Sequence, residues 1–160
     1  CKNLEDIRRG QYENLKLVIG TDPLRAPDFG PKQMGRAGAT VIGARQPLIA
    51  YNIYLTTGDV TIAEKVARRV RNSSGGLHFV KAMGVLVEGR AQVSMNLTDY
   101  RETSMRRVFD EIKAKAERLG VEILESELIG LVPRAALAGR PPEYYRLKDF
   151  SEKRILENCL

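Results

Sequence analysis

Residues Ala91 to Leu97 alternate without a break, with Ala91, Val93, Met95 and Leu97 on one side and Gln92, Ser94 and Asn96 on the other. A period of two this clean belongs to a strand with one face in a core and one face free. It therefore demands a sheet with an uncovered side, and the segments around it fit such a sheet. Glu88-Gly89-Arg90 reads as a tight hairpin linking this strand to an apolar run, Val80–Val87. Upstream, Leu48–Leu55 reads as a strand with Ile49, Tyr51, Ile53 and Leu55 on one face. Val121–Val132 reads as the last.

Two helical patterns separate these strands. Ile62, Ala63, Val66, Ala67 and Val70 recur at helical spacing after Thr61 and Glu64, which resemble a capping box. Asn72-Ser73-Ser74-Gly75-Gly76 ends that helix. Met105, Val108, Phe109, Ile112, Ala116 and Leu119 form the second apolar stripe, with Asp99 and Glu102 as its expected cap and Gly120 as its stop. Strand, helix, strand, strand, helix, strand is the split βαβ order. The expected class is α+β: a ferredoxin-like βαββαβ sandwich, a four-stranded antiparallel sheet with two helices on one face. The free face, carrying Gln92, Ser94, Asn96 and Asn52, must meet water, a partner or a ligand.

Before this unit the first 20 residues read as a short helix and a connection. Pro23, Pro27, Gly30, Pro31, Gly35 and Gly38 then exclude long regular structure over about 20–40. After Pro141-Pro142 the chain is charged, with a short helix expected from Ser151.

Some chemistry is excluded by the residues themselves. No metal-ligand spacing, Walker loop or nucleophile elbow occurs, so neither a metal site nor a catalytic residue is assigned. The single histidine, His78, has no obvious partner nearby in sequence and reads as structural or solvated. The RRM shares this strand order but stacks bases on aromatics of its central strands. Val80–Val87 and Ala91–Leu97 contain none, so no nucleic-acid partner is expected. No apolar run is long enough to span a bilayer, so a membrane partner is not expected and the cytoplasm is the expected location. Cys1 and Cys159, at the two ends, read as free thiols. The net charge of +6 favours polyanionic partners or a ligand bearing several carboxylates, or simply a solvated basic helix face. The stretch Gly30-Pro31-Lys32-Gln33-Met34-Gly35-Arg36-Ala37-Gly38 offers close backbone approach together with two cations, and reads equally as a binding loop or a connector.

Asp28-Phe29-Gly30-Pro31, Gly38–Arg45 (GATVIGAR) and Leu48–Ile53 (LIAYNI) are similar to the central signature of the glutamate formiminotransferase family. Ala91–Leu97 (AQVSMNL) resembles a second family segment and Leu128–Pro133 (LIGLVP) a third. Ile7–Glu13 (IRRGQYE) resembles the link that leaves the family's N-terminal subdomain. The resemblance implies a folate-binding half of a glutamate formimidoyltransferase, moving a formimino group between N-formimino-L-glutamate and tetrahydrofolate in histidine degradation. Tetrahydrofolate, polyglutamated or not, would be a substrate, and no metal is implied. Residues 1–40 would be a linker from a missing N-terminal subdomain plus the folate loop, 41–138 the ferredoxin-like C-terminal subdomain, and 139–160 a charged tail. The family's folate site lies in a groove between two ferredoxin-like subdomains; the loop Gly30–Gly38 would contribute to it, and Arg45, Asn52, Gln92 and Asn96 would line the groove. The family's catalytic histidine lies in the N-terminal subdomain and has no counterpart here. This chain alone is thus expected to be inactive, needing that subdomain in cis or trans; homo-oligomerisation stays open. The alternative is a non-catalytic folate-binding or regulatory module, or a truncated fragment inactive without its partner.

Overall fold

The computed structural model describes residues 4–160; Cys1 and the expectation attached to its thiol lie outside them. The chain divides into two compact units, one running to Ala44 and one from Arg45 to Leu160.

In the first unit, helices α1 (Leu4–Arg8) and α2 (Gln11–Val18) precede an irregular segment. The Arg25 guanidinium closes the unit by donating to the Ile7 and Arg9 carbonyls at 2.7 and 3.0 Å, satisfying acceptors that a helix end leaves open.

The second unit contains β1 (Ile49–Leu55), α3 (Val60–Val70), β2 (Val80–Val87), β3 (Arg90–Leu97), α4 (Met105–Arg118) and β4 (Ile123–Ile129). The sheet order is β2-β3-β1-β4, with all three pairings antiparallel. This is the expected ferredoxin-like arrangement, an open antiparallel sheet packed against helices. Between β2 and β3, Val87 pairs with Arg90 across a two-residue turn. Glu88 and Gly89 both have positive φ there (49° and 78°), as a type I′ turn requires.

Alternation is strictest on β1. Ile49, Tyr51, Ile53 and Leu55 are fully buried, while the residues between them are half-exposed. Val93, Met95 and Leu97 from β3 join the core, as do Val66 and Val70 from α3 and Val108 and Ile112 from α4.

The caps differ from the sequence expectation. Asp59, rather than Thr61, caps α3, its carboxylate accepting from the Thr61 N–H at 2.9 Å. Ser104 caps α4 by accepting from the Arg107 N–H at 3.2 Å, while Asp99 turns the preceding loop through the Arg101 N–H. Each is a local competition among neighbouring oxygens, won by the one whose backbone is extended just before the helix.

Glu64 is consequently not a capping-box residue. Its Oε2 accepts from the Gly84 N–H on edge strand β2 at 3.0 Å, and its Oε1 accepts from Arg68 and Arg71 at 3.2 Å each. The Gly84 N–H, the Arg68 contact and the Arg71 charge hold the Glu64 carboxyl below its ordinary range. Gly84 is where the helix meets the strand: a Cβ there would lie 2.4 Å from the Glu64 nitrogen and 2.8 Å from the Ala63 carbonyl carbon.

Residues 139–160 are held in the same unit rather than trailing from it. Their charges conceal two anchors, Tyr145 and Ile155, both fully buried. Tyr145 receives hydrogen bonds at its carbonyl from the Ser126 and Tyr51 hydroxyls at 2.5 and 3.4 Å. Its own phenol donates to the Leu137 carbonyl at 2.8 Å, and burial pushes its pKa up to about 12, so it stays a neutral donor. Burial drives the Tyr51 phenol upward as well. Arg146 and Arg154 bond the Ile123 and Leu128 carbonyls of β4. Short 3-10 turns at Pro142–Tyr145, Glu152–Arg154 and Leu156–Cys159 replace the expected terminal helix.

Gly84→Ala should cost about 1–3 kcal/mol, the range for forcing a methyl into closed packing, as read by chemical denaturation. A loss within about 0.3 kcal/mol would contradict the close approach of α3. Because the Glu64 pKa is lowered in the folded state, the stability it contributes is present above the unfolded carboxyl pKa and lost as pH falls through the folded value. The stability gap between the native chain and Glu64→Gln should therefore be widest near neutrality and close in acid. A gap independent of pH would show that the Glu64 charge contributes nothing.

Candidate functional site

The side chains of even-numbered residues on β1 point away from the core. Asn52 lies opposite Ser94 on one side and Glu127 on the other; Tyr54 lies opposite Gln92 and Glu125. In an antiparallel sheet, directly opposed residues share a face and stand close enough for their side chains to bond. Here they converge on one acceptor. Glu127 Oε1 receives hydrogen bonds from Asn52 Nδ2 at 3.0 Å, Gln92 Nε2 at 3.2 Å and the Tyr54 hydroxyl at 3.3 Å. Asn52 Oδ1 in turn accepts from the Met95 N–H at 3.4 Å, which fixes the amide orientation. No donor among the described residues bonds Glu127 Oε2, leaving that oxygen for an incoming group.

Gln92 is nearly fully buried, although it stands on the open face, because Tyr54 and Val85 flank it. Burial, followed by the Glu127 charge, raises the Tyr54 phenol above its ordinary pKa. One row away, Glu125 pairs with Arg90 at 3.6 Å and Lys148 at 3.5 Å. The face is thus polar in the middle, with Met83 and Ile129 exposed toward its two edges. A rigid carboxylate with two amides and a phenol suits a flat heterocycle that presents both donors and acceptors.

Of the residues the sequence singles out, Asn52 and Gln92 are brought together. Asn96 is exposed on the same face, opposite Ala50 and Lys81 and outside the network. Arg45 bonds the neighbouring Gln46 carbonyl at 3.1 Å and takes no part in the network. The loop Gly30, Pro31, Lys32, Gln33, Met34, Gly35, Arg36, Ala37 and Gly38 lies in the first unit without regular structure, and all but Met34 are exposed. Gly30 and Gly38 have φ of 92° and 75°, and no atom lies within 4 Å of a Cβ built on either, so the backbone is open to a ligand. His78 sits beside Phe79, ring centroids 6.4 Å apart, away from the network on the strand entry. Among the described residues no His, Cys, Asp or Glu cluster could hold a metal, and no helix is long and apolar enough to cross a membrane.

Tyr54 and Glu127 were not legible as site residues. Only the register of β4 against β1 puts Glu127 beside Asn52, and an apolar run such as Val121–Val132 does not declare its register.

A ferredoxin-like sheet with a polar cluster on the face away from its helices defines an α+β domain. Comparison with known proteins narrows this class. The formiminotransferase domain family matches residues 50–158, and the description of its N-terminal subdomain matches residues 1–45, so the chain belongs to the formiminotransferase domain family. A glutamate formimidoyltransferase of Streptococcus pyogenes serotype M1 is 42% identical over 163 residues, covering 99% of this chain and 54% of the relative. One from Thermoplasma acidophilum is 44% identical over 149 residues, covering 92% and 49%. A formimidoyltransferase-cyclodeaminase of Dictyostelium discoideum is 40% identical over 157 residues, covering 92% and 29%. The chain spans about half the length of the two formimidoyltransferases it matches.

The Glu127 carboxylate should be felt by Tyr54. In Glu127→Gln, with its charge removed, the Tyr54 pKa should fall toward the ordinary tyrosine value, followed by NMR of the 13Cζ-labelled ring. An unchanged titration would mean that the two groups do not interact in solution.

Proposed function

We propose that this chain is the folate-holding part of a glutamate formimidoyltransferase. The activity is transfer of a formimino group between N-formimino-L-glutamate and tetrahydrofolate, a step of histidine degradation. The observation that carries the reading is the convergence of Asn52, Tyr54 and Gln92 on Glu127, on the free face of a domain from this family. A pterin presents an aminopyrimidinone edge whose N–H groups match a carboxylate oxygen that no described residue bonds, and Asn and Gln side chains supply complementary amides. Charge assistance makes such bonds to Glu127 stronger than neutral ones.

The division of labour follows from the residue types. Formimino transfer needs the attacking amine of tetrahydrofolate and the amidine carbon held in register, together with a group that shuttles a proton. Asn52, Gln92 and Glu127 serve the first need by fixing one ring. Taken by itself, the loop Gly30–Gly38 offers open backbone and the Lys32 and Arg36 cations to carboxylates. Proton transfer is assigned to no residue of this chain: His78, the sole histidine, lies outside the polar network. In this reading that step belongs to N-terminal-subdomain residues beyond the matched segment 1–45, joined in cis or supplied in trans.

Titration calorimetry with 5-formyl-tetrahydrofolate tests the assignment, with the chain alone and with a separately expressed N-terminal subdomain. Saturable binding that tightens on adding the subdomain is expected. Glu127→Ala should weaken it about tenfold or more, the loss of one to two charge-assisted bonds. Lys32→Ala with Arg36→Ala should weaken it and reduce its sensitivity to salt. Unaltered binding by the folded Glu127→Ala protein would remove the open face from the site. No binding in either setting would remove folate from the proposal.

A further inference from the structure

The excess positive charge is not on the face that carries the polar network. There, Glu125 is paired with both Arg90 and Lys148, and Glu127 adds a second carboxylate, so little surplus is left. On the helical layer the balance is different. Helix α3 with its C-cap Arg71 carries Lys65, Arg68, Arg69 and Arg71 against Glu64 alone. Helix α4 carries Arg106, Arg107, Lys113, Lys115 and Arg118 against Asp110, Glu111 and Glu117. With the two caps of α3, Asp59 and Arg71, cancelling, the helices carry +4 of the chain's net +6, on the side of the sheet opposite the network.

These helices also enclose a depression. Arg69 of α3 faces α4 across a trough of about 510 Å³ whose lining includes Arg107, Glu111, Ala114, Lys115 and Arg118. Ala114 sits mid-stripe, and its short side chain leaves the hollow. Arg69 is paired with Glu111 at 3.3 Å and Arg106 with Asp110 at 3.7 Å. The side chains of Arg107, Lys115 and Arg118 have no ion pair or hydrogen bond among the described residues. Positions 107, 111, 114, 115 and 118 fall along one face of the helix. At 1.5 Å per residue, the three unpaired cations span about 16 Å, the reach of about five residues of extended chain.

We infer that this trough is a docking surface for an acidic segment of a partner protein, bound in extended form along α4. Carboxylates of the segment would meet Arg107, Lys115 and Arg118. The trough's own Glu111 and Asp110 are already engaged, by Arg69 and by Arg106 with the Tyr144 hydroxyl, so they leave the three unpaired cations for an incoming carboxylate. A nucleic-acid strand presents phosphates at every step and would set them against both carboxylates. An anionic bilayer is flat and offers no insertion into a trough walled by charged side chains. Unpaired cations at both ends of a concave surface also steer an acidic chain during encounter. This inference stands apart from the folate reading, since no residue is shared between them.

The test uses fluorescence anisotropy of a labelled hexaglutamate peptide with the whole chain at about 50 and 200 mM salt. Saturable binding that weakens with salt is expected. The double variant Arg107→Ala/Arg118→Ala should weaken it about tenfold or more, while Lys16→Ala/Lys153→Ala, equal in lost charge but elsewhere, should change it by less than about twofold. Both pairs are exposed, and circular dichroism verifies that each variant is folded. Equal losses in the two variants would reduce the effect to net charge and overturn the proposal. So would absence of saturable binding, or tighter binding to a short DNA duplex or to phosphatidylserine vesicles than to the peptide.

Discussion

Strand β1 has a neighbour on each side, and its two faces are held to different standards. Ile49, Tyr51, Ile53 and Leu55 must all be apolar or, like Tyr51, find an internal acceptor, because they are sealed beneath the helices. Asn52 and Tyr54 need only meet their cross-strand partners from β3 and β4. A slip of one residue in either pairing would exchange the two sets and bury the amide while exposing the isoleucines. Core and polar cluster are therefore fixed by the same register. The geometry at Glu127 is as well determined as the packing behind it.

The strand order was legible because each strand announced itself through alternation or a bounded apolar run, and the hairpin through Glu88-Gly89. Where the reading failed, the decision depended on contacts distant in sequence. Thr61 and Asp59 are both plausible helix caps as letters, and Glu64 was claimed for a capping box. In the folded chain it is committed to Gly84, twenty residues away. The charged composition of 139–160 hid Tyr145 and Ile155, since two anchors in a long polar stretch make no periodic pattern. Of the candidate site, Asn52 and Gln92 were visible from the polar side of alternating strands. Tyr54 was grouped with no site because an aromatic on a strand is usually core, and Glu127 because nothing local marks the register of β4.

The distribution of charge changes how the basic composition is understood. As a sum, +6 suited an acidic ligand in the groove of the open face. As a map, the open face is nearly neutral and the surplus lies behind it on α3 and α4. Two separate surfaces can thus be tuned independently. The sheet face presents a fixed pattern of donors and acceptors, and the helical face carries the positive field.

The C-terminal segment and Glu64 together determine how the sheet ends. Leu147 and Ile155 run parallel to Ser126 and Val132, so the backbone in the middle of β4 and just past its end is already engaged by residues 146–148 and 154–156. On the opposite margin, the central outward N–H of β2 is occupied by the Glu64 carboxylate. Neither margin is free to accept another strand along its length. A strand added at either margin would have to displace these contacts first, whereas stacking on the flat sides engages side chains alone.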